Sequence, residues 1–406
     1  MSIRASLIAA LALTLVATAG AAPGNGKIAY VRDGSAFVAN SDGSGEVGIA
    51  TDASALPMWS PDGGHLAYLR RIQHSDGSAD FVPVVTAADG SNATQLATQG
   101  QFALGCWLDA STLVAVSTYS PPPPQTYPLY NDLYTFSLGG TANRLTSDGG
   151  AKLVSAQGCA PDGSAIAFAK QQPDSKLKAF VANRDGSSSR LLTPVGFSDS
   201  APAWSPNGDG LAFARYGVES GLYVSDTSGG GLRRVTTTVG EGVRWSPDSE
   251  RLLFTRRYTD YTHCSRYGCA VQSELRTIDA DGAQERVLGE GEADATQGWS
   301  PDGTRIVSTS FNGSIVRNAD GTCRTLLPPN VSPTLAWQPL PGQPPAPELT
   351  CADLELSADV SFVDLPLSAI GVYTLTVVNQ GNRAASAVAL DQPPAKEIRL
   401  LDAQPS

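Results

Sequence analysis

Trp59-Ser60-Pro61-Asp62-Gly63, followed by the apolar run Leu66-Ala67-Tyr68, recurs along the chain. It returns as Trp204-Ser205-Pro206-Asn207-Gly208 before Leu211-Ala212-Phe213, and as Trp245-Ser246-Pro247-Asp248-Ser249 before Leu252-Leu253-Phe254. A further copy is Trp299-Ser300-Pro301-Asp302-Gly303 before Ile306-Val307-Ser308. Weaker copies are Cys159-Ala160-Pro161-Asp162-Gly163 and Trp107-Leu108-Asp109, each again followed by an apolar strand. A second turn punctuates the units at Asp42-Gly43, Asp89-Gly90, Asp185-Gly186, Asp281-Gly282 and Asp320-Gly321. Arg-Leu-Thr-like segments such as Arg144-Leu145-Thr146 and Arg190-Leu191-Leu192-Thr193 often follow. Self-similarity of this kind marks a stack of supersecondary units that cannot bury their faces alone.

The chemistry of one unit is legible. Trp is read as beginning a buried inner strand, its ring filling the wedge between neighbouring sheets. Pro presets φ, and Asp-Gly supplies the positive φ of a tight hairpin. Two further strands reach the second Asp-Gly turn and close a sheet of four, in about 45 residues. Inner strands centre on Trp59, Trp107, Cys159, Trp204, Trp245, Trp299 and Trp337; second strands centre near Ala29, Ala67, Val114, Ala167, Ala212, Leu253 and Val307. The expected fold is therefore all-β: a seven-bladed β-propeller of four-stranded blades spanning residues 26–338. Six blades with one inserted region is the alternative. The chain enters on a second strand (27–31) and leaves on an inner strand (334–338), so the last strand is expected to complete the first blade.

This repeat resembles the WD40-like repeat of TolB-type propellers. For TolB itself the resemblance implies protein interaction at the cell envelope, but similar repeats occur in peptidase and lyase propellers, and fold does not settle function. TolB also carries an N-terminal domain that has no counterpart here.

The flanks carry separate signals. Arg4, an apolar run and Ala19-Gly20-Ala21 read as a signal peptide over residues 1–21; the run is short for a bilayer span. No integral membrane segment is expected in the mature chain. Residues 339–350 form a Pro-rich linker read as a semi-rigid spacer. Residues 351–406 alternate like strands and resemble the start of Ig-like repeats of the DUF11 or CARDB type, a small incomplete β-sandwich of about half the usual length.

Charge and cysteines narrow the partners. With 28 basic and 39 acidic residues, the net charge is −11, a surface that repels phosphate backbones; nucleic acid is excluded as a partner. The six cysteines suit disulfides in an oxidising compartment. Cys264 and Cys269 enclose a short loop; Cys106 and Cys159 lie on adjacent inner strands and either bridge blades or pack; Cys323 and Cys351 flank the linker and could staple the tail.

Catalytic constellations are sparse. There is no G-x-S-x-G elbow, and no metal or cofactor is expected. Of three histidines, His65 is expected to be solvated in a hairpin, His74 lies in a polar loop, and His263 neighbours Cys264 without further zinc ligands. The Asp-Gly pairs lack calcium-loop spacing and read as turns. One asymmetry points to binding. Two second-to-third-strand loops are long, 119–131 and 257–273, and they place Tyr119, Tyr127, Tyr130, Tyr258, Tyr261 and Tyr267 on one face. Amphipathic rings on constrained backbone suit a rim for protein or cell-envelope glycan. The expectation is an exported monomeric binding protein, not an enzyme; the alternative is a hydrolase or lyase using channel carboxylates.

Overall fold

The computed structural model describes residues 23–119, 130–146, 153–172, 174–194, 196–265, 268–290, 292–310, 313–328, 335–351, 354–365 and 368–379. Every element among them is a β-strand.

The strands pair antiparallel in runs of four that follow the repeat. In unit 1, Leu335–Leu340 pairs with Gly24–Arg32, followed outward by Ser35–Ala39 and Val47–Ala50. The register Ile28↔Trp337 closes the ring as expected, chain end against chain start. Unit 2 runs Ala53–Trp59, His65–Gln73, Ala79–Ala87, Thr94–Gln95, and unit 3 runs Gln101–Asp109, Thr112–Tyr119, Tyr130–Ser137, Ala142–Arg144. A single parallel pair, Phe81↔Gln101, joins these two into one eight-stranded sheet. Unit 4 comprises Leu153–Cys159, Ala165–Gln171, Leu177–Asn183 and Arg190–Leu191. Unit 5 has a broken first strand (Ser198–Asp199 and Ala203–Trp204), then Gly210–Tyr216, Gly221–Asp226 and Arg233–Thr236. Unit 6 comprises Glu241–Trp245, Arg251–Ser265, Gly268–Asp279 and Arg286–Glu290; unit 7 comprises Glu292–Trp299, Arg305–Ser310, Gly313–Asn318 and Thr325–Leu326.

Second strands are apolar on both faces because each sheet is covered on both sides. Leu66, Ala67, Leu211, Ala212, Leu252 and Leu253 have no exposed surface. Residues of adjacent units share clusters, as where Trp59 and Leu66 pack on Ala29 and Val38.

The Trp-Ser-Pro-Asp-Gly motif does more than turn the chain. Its serine is buried in all four full copies (Ser60, Ser205, Ser246, Ser300). Each serine hydroxyl donates to the motif's own Asp or Asn, at 2.5 Å for Asp62 and 2.6 Å for both Asn207 and Asp302. It accepts from the backbone N–H five residues on, at 2.8–2.9 Å. The Asp Oδ1 in turn accepts from its own turn, as from Gly64 at 3.1 Å and Thr304 at 3.0 Å. The second-turn aspartates do likewise, Asp89 accepting from Ser91 and Asp320 from Thr322, each at 2.9 Å. Local turn bonds thus occupy these carboxylates. Gly63 sits at φ 71°, and a Cβ there would lie 2.1 Å from the Pro339 carbonyl; a closely approaching closing strand and a positive φ both require glycine.

One expectation is corrected: Trp ends the first strand instead of beginning it, as in Ala53–Trp59 and Glu241–Trp245. The reason is the turn, since Ser-Pro-Asp-Gly must follow immediately to reverse the chain. At that end three of the indoles donate to the preceding unit, whereas Nε1 of Trp204, Trp299 and Trp337 is buried and unbonded among the described residues. Trp59 Nε1 donates to Ala336 O at 3.2 Å, Trp107 to Met58 O at 3.3 Å and Trp245 to Ala203 O at 3.1 Å. In every case the acceptor is the residue just before the preceding unit's Trp. Unit 4 has Cys159 in the Trp place, and its disulfide partner is Cys106, the residue before Trp107. The covalent bridge stands where the indole bond stands in units 2, 3 and 6.

Segment 339–350 is tied down. Its first residues, Pro339 and Leu340, belong to the closing strand. Beyond it, Ala346 N–H donates to Asp302 Oδ2 at 2.7 Å, Leu349 exchanges bonds of 2.8 and 2.9 Å with buried Asn318, and Cys323–Cys351 locks the end. Burial pushes the Asp302 carboxyl up, but bonds from Ser300, Thr304 and Ala346 outweigh it and hold the group below the ordinary range. Of the tail, Leu354–Leu365 and Ser368–Asn379 form a two-stranded antiparallel hairpin.

Candidate functional site

Unit 6 departs from its sisters in the second and third strands. In unit 5 the corresponding strands have 7 and 6 residues; in unit 6 they have 15 and 12. Residues 257–273 are therefore not the expected long loop. They continue both strands in register, Arg257↔Ser273 through Asp260↔Ala270, with a bulge before Cys264↔Cys269. Strand-favouring residues recur through this stretch, as Tyr258, Thr259, Tyr261, Thr262 and Val271. Cys264 and Cys269 face each other across the hairpin, and Cys269 is disulfide-bonded.

At the foot of this hairpin lies a cleft of about 330 Å³ lined by Thr237, Thr238, Val239, Arg256, Arg257 and Tyr258. A charged cluster supports it. Glu274 accepts from Arg256 at 3.2 Å and from Arg276 at 2.7 Å; Arg276 also bonds Glu285 at 2.7 Å. Glu285 accepts from Thr236 at 2.8 Å and Thr238 at 3.0 Å, so one carboxylate ties the cleft's lip to the hairpin strand. Burial alone would raise Glu285, yet the two threonines and Arg276 outweigh it and hold the group below the ordinary carboxylate range. For Arg276, burial is likewise outweighed by the bonds to Glu274 and Glu285, and its pKa is raised. Arg256 lies 4.7 Å from the Tyr258 ring centre, a cation–π contact that orients both. Arg257, half exposed, lies 3.7 Å from Glu241. This arrangement presents guanidinium, hydroxyl and aromatic groups on rigid backbone.

The tyrosines of the expected rim fare unequally. Tyr258 lines the cleft. Tyr261 falls within the extended strand Arg251–Ser265, and Tyr119 and Tyr130 are register partners at the mouth of the other insertion. Tyr127 and Tyr267 lie outside the described residues. The two insertions belong to units 3 and 6, and residues 120–129 of the first lie outside the described residues. Sequence reasoning missed Arg256, Arg257, Glu274 and Glu285. A signal for the first was available: aligned second strands carry a cation at the fifth place, as Arg32, Arg70, Lys170, Arg215 and Arg256.

The histidines also differ from expectation. His65 is half-buried rather than solvated, with Nδ1 enclosed and unbonded, because it opens the covered second strand of unit 2. His74 lies 3.0 Å from Asp80. No group of three or more metal-ligating side chains occurs among the described residues, and no helix there is long and apolar enough to cross a membrane. The pairs Cys106–Cys159 and Cys323–Cys351 are formed.

No family model matches the chain. Over 106 residues, 24% of the chain, it is 33% identical to the uncharacterized peptidase YuxL of Bacillus subtilis strain 168, and covers only 16% of that protein. Among solved structures it is similar to TolB from Acinetobacter baumannii, at 16% identity over 77% of this chain and 81% of that one, with a TM-score of 0.49. It is also similar to an oligogalacturonate lyase in complex with manganese (13% identity, 75% and 85% covered, TM-score 0.53). A puromycin-hydrolyzing peptidase of Mycobacterium tuberculosis aligns at 12% identity over 87% of this chain and 59% of that one, with a TM-score of 0.53. At these identities the likeness is one of fold alone.

Proposed function

We propose that this chain is an exported, seven-bladed propeller that works by binding a protein or cell-envelope glycan rather than by turnover, with the extended hairpin of unit 6 as its docking edge. The observation that carries the reading is that hairpin, which outruns its own sheet, is cross-paired at Cys264↔Cys269 and has a cleft at its foot. Ordering costs less when the contact backbone is already fixed, so a braced ribbon suits recognition. Disulfides between units 3 and 4 and onto the 339–350 segment support folding in an oxidising compartment. The reading of seven blades is supported by counting each four-stranded run as one and dividing the eight-stranded sheet at its single parallel pair.

The test restores the short hairpin of unit 5. Replacing residues 259–271 by Asn-Gly joins the register partners Tyr258 and Gln272 by a two-residue turn. The melting temperature should stay within a few degrees, while capture of envelope protein or polysaccharide falls at least tenfold. Undiminished capture removes the hairpin from the function. The second reading, a hydrolase or lyase, draws on the segment shared with an uncharacterized peptidase; turnover of envelope polysaccharides or peptides by the purified chain would favour it.

A further inference from the structure

Units 4 and 7 share one backbone frame at the end of the strands that carries the Asp-Gly turns. The register pair Arg305↔Asn318 of unit 7 is matched by Ala165↔Asn183 of unit 4. Asn318 N–H donates to Thr322 O at 2.9 Å and Asn183 N–H to Ser187 O at 3.0 Å. Ala319 N–H and Arg184 N–H reach Thr304 O and Ser164 O, both at 2.9 Å. The residue five places beyond each asparagine is left-handed, Cys323 at φ 57° and Ser188 at φ 54°. The side chains follow the backbone. Asp302 accepts from Thr304 N–H at 3.0 Å and Asp162 from Ser164 N–H at 2.9 Å. Each asparagine amide donates at 3.0 Å to the hydroxyl four residues on, Thr322 or Ser187.

The two units differ in what covers this Asp–Asn pair. In unit 7 the chain's own segment lies across it. Ala346 N–H donates to Asp302 Oδ2 at 2.7 Å and Leu349 N–H to Asn318 Oδ1 at 2.8 Å, while the Asn318 amide donates back to Leu349 O at 2.9 Å. Asn318 is 1% exposed. In unit 4 both Asp162 and Asn183 are exposed, and Asn183 Oδ1 accepts no bond among the described residues. The segment bound in unit 7 states the chemistry of the ligand. Its two donating amides, Ala346 and Leu349, are three residues apart, and Pro344, Pro345 and Pro347 favour an extended chain. A polyproline II chain repeats every three residues, so both amides face one side at low ordering cost.

We propose that the Asp162–Asn183 edge of unit 4 docks an extended, proline-containing peptide of a partner, gripping two backbone amides three residues apart. Leu349 packs on the cluster shared by units 7 and 1, but Leu232 of unit 5 already packs on the equivalent cluster beside unit 4. The unit 4 ligand is therefore held by its backbone and needs no leucine. The hairpin of unit 6 leaves the opposite ends of the strands, between the second and third, so either site can fail without the other.

The experiment uses the full, oxidised chain, in which Cys323–Cys351 keeps unit 7 filled by its own segment. The probe is a fluorescent synthetic peptide of residues 342–350, titrated by anisotropy. Saturable binding is expected. Asn183→Ala should weaken it about tenfold, the worth of one or two hydrogen bonds; the variant will fold, since Ala87 holds the same place in unit 2. N-methylation of the peptide's Leu349 amide should cost as much, whereas Leu349→Ala in the peptide should cost little. Asn40→Ala, the equivalent place in unit 1 where no aspartate accompanies it, should leave binding intact. No saturable binding by the native chain, or equal binding by Asn183→Ala, overturns the proposal.

Discussion

Units 5 and 6 are adjacent copies of one repeat, and each places an arginine at the same step of its second strand. In unit 5, Arg215 is 2% exposed and pairs with Asp199, 0% exposed, at 2.7 Å. Phe197 and Tyr223 flank the guanidinium at 4.1 and 4.4 Å. In unit 6, Arg256 is 38% exposed and shares Glu274 with Arg276. The difference follows from where the counter-ion sits. Phe197 and Asp199 come from the segment that opens unit 5 and, with Tyr223 of the third strand, close over the guanidinium, whereas in unit 6 the partner Glu274 lies on the extended third strand and leaves the arginine beside an open cleft. The repeat therefore holds an internal latch in unit 5 and a presented surface in unit 6.

The largest effect expected from breaking this contrast is at Asp199. Asp199→Asn leaves the Arg215 charge buried without its counter-ion, a change that costs about 3–5 kcal/mol in comparable settings. Arg256→Ala removes a partly exposed pair and should cost about 1 kcal/mol or less. Denaturant midpoints of the two variants, read side by side, check the asymmetry. Equal losses would mean that water reaches Arg215 and that the latch is not sealed.

A second test concerns how units are joined. In units 2, 3 and 6 an indole N–H reaches the preceding unit; between units 3 and 4 a disulfide does, closing a separation of 53 residues. Cys106→Ser with Cys159→Ser should lower stability by about 2–4 kcal/mol through the entropy returned to the unfolded chain. Cys106→Ala with Cys159→Trp restores the repeat's own residue and should recover part of that loss. No recovery would show that the unit 3–4 junction has no room for the ring.

Much of this architecture was legible from the residues. The Trp-Ser-Pro-Asp-Gly recurrences announced the sheets, and the strand-like ends of the repeat region announced the closure Ile28↔Trp337. Recurrence reports backbone demands such as the positive φ of Gly63, which only a few residues meet. The serine's role was harder to see, because Ser60 looks like turn decoration until its burial and two bonds are known. The site was less legible still. Tyrosine drew attention as a residue type, but the cleft depends on Glu285 reaching back to Thr236 and Thr238 from 49 and 47 residues away. Such a contact has no local signature. The extended hairpin was misread as a loop for a related reason: its strand-favouring residues do not alternate with polar ones, and only the register shows the pairing.

The smallest effect expected lies within unit 6, and it is a pH effect. Glu285 has a folded-state pKa held below its ordinary value of about 4.3. Its contribution to stability is therefore complete above that value and is lost as the pH falls through the depressed folded one. At 23% exposure the screened contribution is about 1 kcal/mol or less. Glu285→Gln removes the titrating group but keeps an acceptor for the threonines, so the native chain and the variant should differ in stability at pH 6 and converge toward pH 3. If the difference persists unchanged at pH 3, then Glu285 braces the cleft by shape alone, and the lip formed by Thr237 to Val239 does not depend on its charge.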